Sequence, residues 1–309
     1  MSLDESVIRS RIESCPRLGS LRKINSTFQD LANADRDYTG QIAEIIRRDP
    51  SLTSRLLQMV NSVFYGLSNT VNSVEDAVFY LGTKQIKQLA LATPVLEDMQ
   101  KFTEKAPDMD WVSFWQQSIG CAIMTRELLS FTNVEAKGDA DYISGLVFGV
   151  GYLVAIYAFP DQMKEIYQQK PETEKAFRDL QMELVGWDHS EVGAYYMESH
   201  GIPSDIRMPV MHQLNPEEAG DYKHFSSAIY VAKRMVSEFI SNQSADQNKD
   251  ESKERAPQKT FNIPLPNTPA WHLCPELHFL LSNEGNPEFS VSSLRYSLSH
   301  LPDMLKGLV

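Results

Sequence analysis

The chain has 309 residues, 42% of them hydrophobic and 23% charged, the balance of a globular protein with a substantial core. Its formal net charge of −12 sets up a field that repels phosphate backbones and anionic lipid, which argues against nucleic acid and the membrane surface as partners. Cys15, Cys121 and Cys274 are odd in number, far apart and form no CxxC, which disfavours a disulfide scaffold or a zinc knuckle and fits a reducing cytoplasm.

The opening MSLDESVIRS has no apolar stretch of the kind a signal peptide needs. From there helical periodicity dominates. Ile42, Ile45 and Ile46 form one apolar stripe, and Leu52, Leu56, Met59 and Val60 the next. Between them Asp49-Pro50-Ser51 ends one helix and starts another, because proline disfavours helix at the residue before it and suits a first turn. Val74, Ala77, Val78 and Leu81 make a third stripe that should stop at Gly82, where a residue without Cβ suits a helix C-terminus. Thr83 can cap a following helix with Ile86, Leu89 and Ala90. Asn61, Ser62, Phe64 and Tyr65 form a corner between helices, read as turn architecture or else as a partner-binding corner.

Residues 99–110 read as a connection between two helical parts. One helix is expected from Trp111 to Leu129 and another from Asp141 to Phe159. The uncharged run Ile143–Phe159 falls short of the roughly 20 apolar residues of a bilayer span and reads as a buried core helix. Asp188-His189-Ser190-Glu191 has the spacing of a capping box, so a helix should run from there through Tyr196 and Met197. Pro203 should open a short helix. Phe225, Ile229, Ala232, Val236 and Phe239 recur at three and four residues and predict a helix of about five turns. The stretch 241–259, SNQSADQNKDESKERAPQK, is too poor in apolar residues to dock and reads as a linker. Val291, Leu294, Leu298 and Leu301 suggest a closing helix. No strand pattern is found, and the fold class is all-α. The expected organisation is an N-terminal helical part at 1–100, a helical core at 101–242, a linker at 243–260 and a C-terminal helical segment at 261–309.

Several motifs in the first half form an ordered series. They are CPRLGSL, Asp49-Pro50, Asn61-Ser62, Phe64-Tyr65-Gly66, Val71, Ser73, Ala77 and Leu81-Gly82. Together they resemble the HD-related output domain, or HDOD, over roughly residues 10–240 and more weakly over 270–305. This family is similar in fold to the HD-type metal-dependent phosphohydrolases and occurs in bacterial signalling proteins. The resemblance implies an N-terminal helical subdomain packed on an HD-like helical core.

An HD hydrolase gathers His and Asp side chains around one or two metals, which polarise a phosphoester and activate water. The resemblance places Gln117 where the first His would stand, Phe148 and Gly149 where the paired His and Asp would stand, and Lys233 where the final Asp would stand. His189 and His212 match histidines of the phosphodiesterase-type relatives. The expectation is therefore a degenerate site with no catalytic residue, no metal and no cofactor. The chain would be a signalling module that acts through a protein partner or a nucleotide-like small ligand. The alternative is a metal-dependent phosphohydrolase with an altered ligand set. Lys233 lies at the border of its helix's apolar arc. It could snorkel to water or turn inward toward His189 and His212, with Gln117 or a backbone carbonyl as acceptor. Trp111, Trp115 and Trp187 read as core or groove walls. There is no G-x-S-x-G, P-loop or HExxH motif.

Overall fold

A computed structural model of the chain describes residues 2–16, 70–82, 109–130, 132, 134–136 and 139–247, with isolated positions 43, 46, 47, 53, 56, 57, 60, 95, 98, 99, 101 and 102. All regular structure among the described residues is helical. The corner Asn61, Ser62, Phe64 and Tyr65, the linker from 248 onward, Cys274 and the C-terminal segment lie outside the described residues.

The chain divides into two units. Residues 2–16 belong with those from 102 to 247, and the described residues between 43 and 101 form the other. Residues 2–16 thus group with the larger unit and not with the described residues between 43 and 101. The reason is α1, Glu5–Glu13, which buries Ile8 and Ile12 one turn apart and is capped by the Asp4 side chain. Just before it, the Leu3 N–H donates to the Val185 carbonyl at 3.1 Å, tying the N-terminus to the larger unit.

α2, Trp111–Ser130, begins where Asp110 Oδ1 accepts the Ser113 N–H at 3.0 Å. Its buried residues, from Phe114 to Leu129, cover most of its circumference, as a helix central to a unit requires. α3, Ala140–Leu146, and α9, Lys223–Gln247, pack against it. The approach of α3 is so close that a Cβ on Gly145 would come 2.7 Å from the Ala122 Cα.

The single helix expected over 141–159 is in fact two. α3 ends at Leu146, and α4, Val150–Ala158, starts after a turn at 147–149, with a bend of 40° between them. The two halves answer to different partners: α3 packs on α2, and α4 on α7. At the break, Gln213 Nε2 donates to the Phe148 carbonyl at 2.9 Å, supplying a partner to a buried backbone acceptor. Both halves are buried, as expected of a core element.

α5, Pro160–Gln168, opens with proline in its first turn, and α6, Glu174–Leu184, is capped by Thr173. α7, His189–Ser199, starts in the predicted capping box: Asp188 Oδ1 accepts the Ser190 and Glu191 N–H groups at 2.8 and 3.0 Å. In return, Glu191 Oε2 accepts the Asp188 N–H at 2.9 Å. α8, Ser204–Met211, follows Pro203 as predicted. α9 buries Phe225, Ile229, Ala232 and Val236 as its stripe predicts, but continues through 241–247 into the stretch read as a linker. Losing apolar residues does not by itself stop a helix. Propagation costs little once the helix is nucleated, and neither Gly nor Pro intervenes before Gln247.

In the smaller unit Ile46, Leu56, Val60, Val74, Ala77, Val78 and Leu81 of the predicted stripes are buried, as is Ala43, which no stripe included. Ser73 Oγ accepts the Asp76 N–H at 3.0 Å at the start of a helix over 74–82. That helix ends at Gly82 in the left-handed region, φ 74°, where a side chain would be strained. Arg47 and Glu75 form an ion pair.

Candidate functional site

His189 is the first residue of α7 and is fully buried. Its backbone N–H donates to Gln181 Oε1 at 3.1 Å, and its ring Nδ1 lies 2.8 Å from the same oxygen. The backbone donor fixes which end of the Gln181 amide faces the histidine, because an amide nitrogen there would meet a donor. Nδ1 must therefore carry the proton, and Nε2 is left with its lone pair and, among the described residues, no hydrogen-bond partner. The Tyr152 ring of α4 stacks on the imidazole at 3.8 Å between centroids and 20° between planes. Phe177 of α6 closes the edge at 6.1 Å.

Burial foremost, then the positive charges of Lys233 and Arg178, hold the His189 pKa well below its ordinary value. The imidazole is neutral in the fold, and the unfolded chain takes up the proton first. Stability should therefore be full above about pH 6.5 and fall as pH drops below it, by up to about 1.4 kcal/mol per pH unit from this group. Urea unfolding across that range should show this slope in the wild type and its loss in His189→Asn.

Lys233 lies on α9 and is turned inward. Its Nζ donates to Glu174 Oε1 at 2.6 Å, and its side chain is 12% exposed. The ammonium also stands 5.5 Å from the Phe148 ring centroid, within cation–π range. The acceptor is thus Glu174, not Gln117 or a backbone carbonyl. A partly desolvated ammonium is matched better by a full counter-charge than by a neutral dipole, and α6 supplies it from a carboxylate 59 residues away.

Gln117 is engaged elsewhere. Its Nε2 donates to Ser237 Oγ at 2.9 Å, and that hydroxyl donates back to Gln117 Oε1 at 3.3 Å. Ser237 is one turn beyond Lys233 on α9, so the two share a helix face. Phe148 is buried at 6% exposure. At Gly149 an added Cβ would come 2.9 Å from the Phe114 ring, so a side chain there would require that ring to move. His212 is the half-buried C-cap of α8. Its neighbour Gln213 holds the Phe148 carbonyl through its side-chain amide.

Thus Lys233, Phe148 and His189 gather at one place, while Gln117 and His212 lie at its margins. Sequence reasoning missed Tyr152, Glu174, Phe177 and Gln181. Gln181 is fully buried while the apolar Phe177, Leu180 and Met182 of the same helix are not, and nothing local distinguishes it from an exposed glutamine. Arg178 was missed as well. Its Nε pairs with Asp188 Oδ2 at 2.7 Å and its Nη1 donates to Asn215 Oδ1 at 3.0 Å, bracing the cap from which His189 starts.

Other chemistry is weaker. Among the described residues no group of three His, Cys, Asp or Glu side chains is placed to hold a metal ion. Cys15 and Cys121 are buried free thiols pushed up to about 12 by burial, the opposite of an activated nucleophile. No described helix alone is long and apolar enough to cross a membrane. The bent pair Ala140–Leu146 and Val150–Ala158 passes by length and composition only when taken together.

The fold recurs in solved structures. A Shewanella amazonensis SB2B protein provisionally named a phosphohydrolase matches with a TM-score of 0.63 and 19% identity, covering 98% of each chain. A Geobacter sulfurreducens HDOD domain protein of unknown function matches at 0.61 and 18% identity, covering 95% of this chain and 98% of that one. A Marinobacter aquaeolei VT8 protein provisionally named a signal transduction protein matches at 0.61 and 20% identity, covering 96% of this chain and 59% of its own. In sequence, an uncharacterized protein of Treponema pallidum (strain Nichols) is 22% identical over 230 residues, 74% of this chain. The chain spans 43% of that relative's length. The HDOD domain family model matches residues 18–216, and the chain belongs to that family.

Proposed function

We propose that this HDOD protein is a non-catalytic signalling module, acting through contacts with a protein partner or through a nucleotide-like small ligand, and that its HD-like site is a vestige. The observation that carries this reading is Lys233. Its ammonium, tied to Glu174 at 2.6 Å and lying over the Phe148 ring, stands at a position the resemblance gives to a metal-ligating aspartate. A fixed positive charge there opposes a divalent cation. Phe148 and Gly149 add no donor, and Gln117 is committed to Ser237. The residues present do not fit a catalytic metal centre. The name of the Marinobacter relative supports a signalling role.

One observation favours the alternative, a phosphohydrolase with an altered ligand set. The free Nε2 lone pair of His189 is of the tautomer a metal ligand needs. Calorimetric titration of chelator-treated protein with Mn²⁺ separates the readings. No saturable heat is expected from the wild type. A stoichiometric site lost in His189→Ala would favour the hydrolase.

A further inference from the structure

The larger unit is discontinuous in sequence: the chain leaves it after Pro16 and returns to it at Phe102. These two crossing points, those among the described residues, touch one residue of α7. The Tyr196 hydroxyl donates to the Pro16 carbonyl. Its ring meets the Phe102 ring edge to face, with centroids 6.3 Å apart and planes at 80°. Neither aromatic has room to swing: Tyr196 is 0% and Phe102 1% exposed. Behind Tyr196 the His200 ring packs at 4.3 Å, and beyond Phe102 stands Tyr157 of α4 at 5.6 Å.

Tyr196 follows His189 by seven residues on the same helix, so the two side chains stand on one face about two turns apart. At the N-terminal end, Gln181 Oε1 holds both the backbone and the ring of His189. Toward the other end, one tyrosine holds the chain at both Pro16 and Phe102. Between them α7 is a continuous hydrogen-bonded rod, seated on α4 where a Cβ on Gly193 would come 3.0 Å from the Gly151 nitrogen. A rod gripped this way cannot shift at one end without loading the other, since packed interiors are not continuously deformable.

We propose that α7 is a lever: a displacement at His189 is carried to Tyr196, which moves the chain at Pro16 and at Phe102 as a pair. This coupling does not depend on whether the His189 site is vestigial or catalytic, so its failure would leave that question where it stands.

Hydrogen exchange on the full chain tests it. Tyr196→Phe keeps the ring and removes the bond to Pro16. It should speed exchange at both Cys15 and Phe102 roughly five-fold, the factor that corresponds to losing one net hydrogen bond. Gln181→Met removes the acceptor at the far end of α7 and should speed exchange at the same two positions, with Met124 of α2 unchanged. Acceleration confined to Cys15 in Tyr196→Phe would show a local bond and overturn the shared staple. Wild-type rates at both positions in Gln181→Met would overturn the lever. Should Gln181→Met unfold, seen as equal acceleration at Met124, His189→Asn replaces it: faster exchange at Cys15 and Phe102 supports the lever, and wild-type rates at both overturn it.

Discussion

Gly151→Ala should destabilise the larger unit by about 4 kcal/mol or more, at the severe end of single substitutions. An alanine Cβ there would lie 1.7 Å from the His189 carbonyl oxygen and 2.7 Å from its carbonyl carbon. Both are backbone atoms, so no side-chain rotation relieves the overlap. α4 and α7 would have to separate, and with them the Tyr152 ring from the His189 ring it stacks on. Gly193→Ala, on the facing helix, meets its nearest atoms at 3.0 and 3.1 Å and should cost distinctly less. Chemical denaturation of the two variants beside the wild type checks the ranking. Equal losses would mean that the close approach of the two helices does not govern the packing.

Arg126→Ala should cost on the order of 3–5 kcal/mol, the usual penalty for breaking a buried ion pair from one side. Arg126 on α2 grips Asp141 with two nitrogens, Nε to Oδ2 at 3.0 Å and Nη2 to Oδ1 at 2.8 Å, and reaches Asp139 Oδ1 at 2.6 Å. The carboxylates are 14% and 7% exposed, so truncation strands two like charges with little water. The guanidinium also lies over the Tyr142 ring at 4.9 Å. Lysine cannot make the paired bonds, and Arg126→Lys should recover only part of the loss. Thermal and urea unfolding measure both. An Arg126→Ala protein within about 1 kcal/mol of wild type would reduce the network to the worth of a surface pair.

What the sequence showed and what it hid follow from range. The capping box at Asp188 and Glu191 was legible because its bonds close within four residues. The stop at Gly82 and the start after Pro203 were legible for the same reason, since backbone restrictions act locally. Apolar stripes at 42–60, 74–81 and 225–236 announced buried faces. The break at 147–149 was hidden. Gly149 caps α4 there, but it is one of three glycines in an apolar run, with Gly145 and Gly151, and nothing local marks it as the break; the bend is stabilised by Gln213 and by packing on α2 and α7. α5 and α6 escaped because their buried positions are few, one of them being Gln181.

At the site, the resemblance supplied the positions Gln117, Phe148, Gly149, His189, His212 and Lys233. It could not supply their partners. Glu174 and Gln181 reach Lys233 and His189 from α6, and the stacking of Tyr152 comes from the helix that crosses at Gly151. The inward turn of Lys233 was one of two options its border position allowed, and a carboxylate far away in sequence decided between them.

Whether the HD-like site hydrolyses anything is decided most directly by an assay of homogeneous protein. Phosphomonoester, phosphodiester and cyclic dinucleotide substrates would each be offered with Mg²⁺ and with Mn²⁺. A vestigial site predicts no turnover above buffer in the wild type or in His189→Ala. Turnover in the wild type that survives purification to homogeneity and disappears in His189→Ala would contradict it.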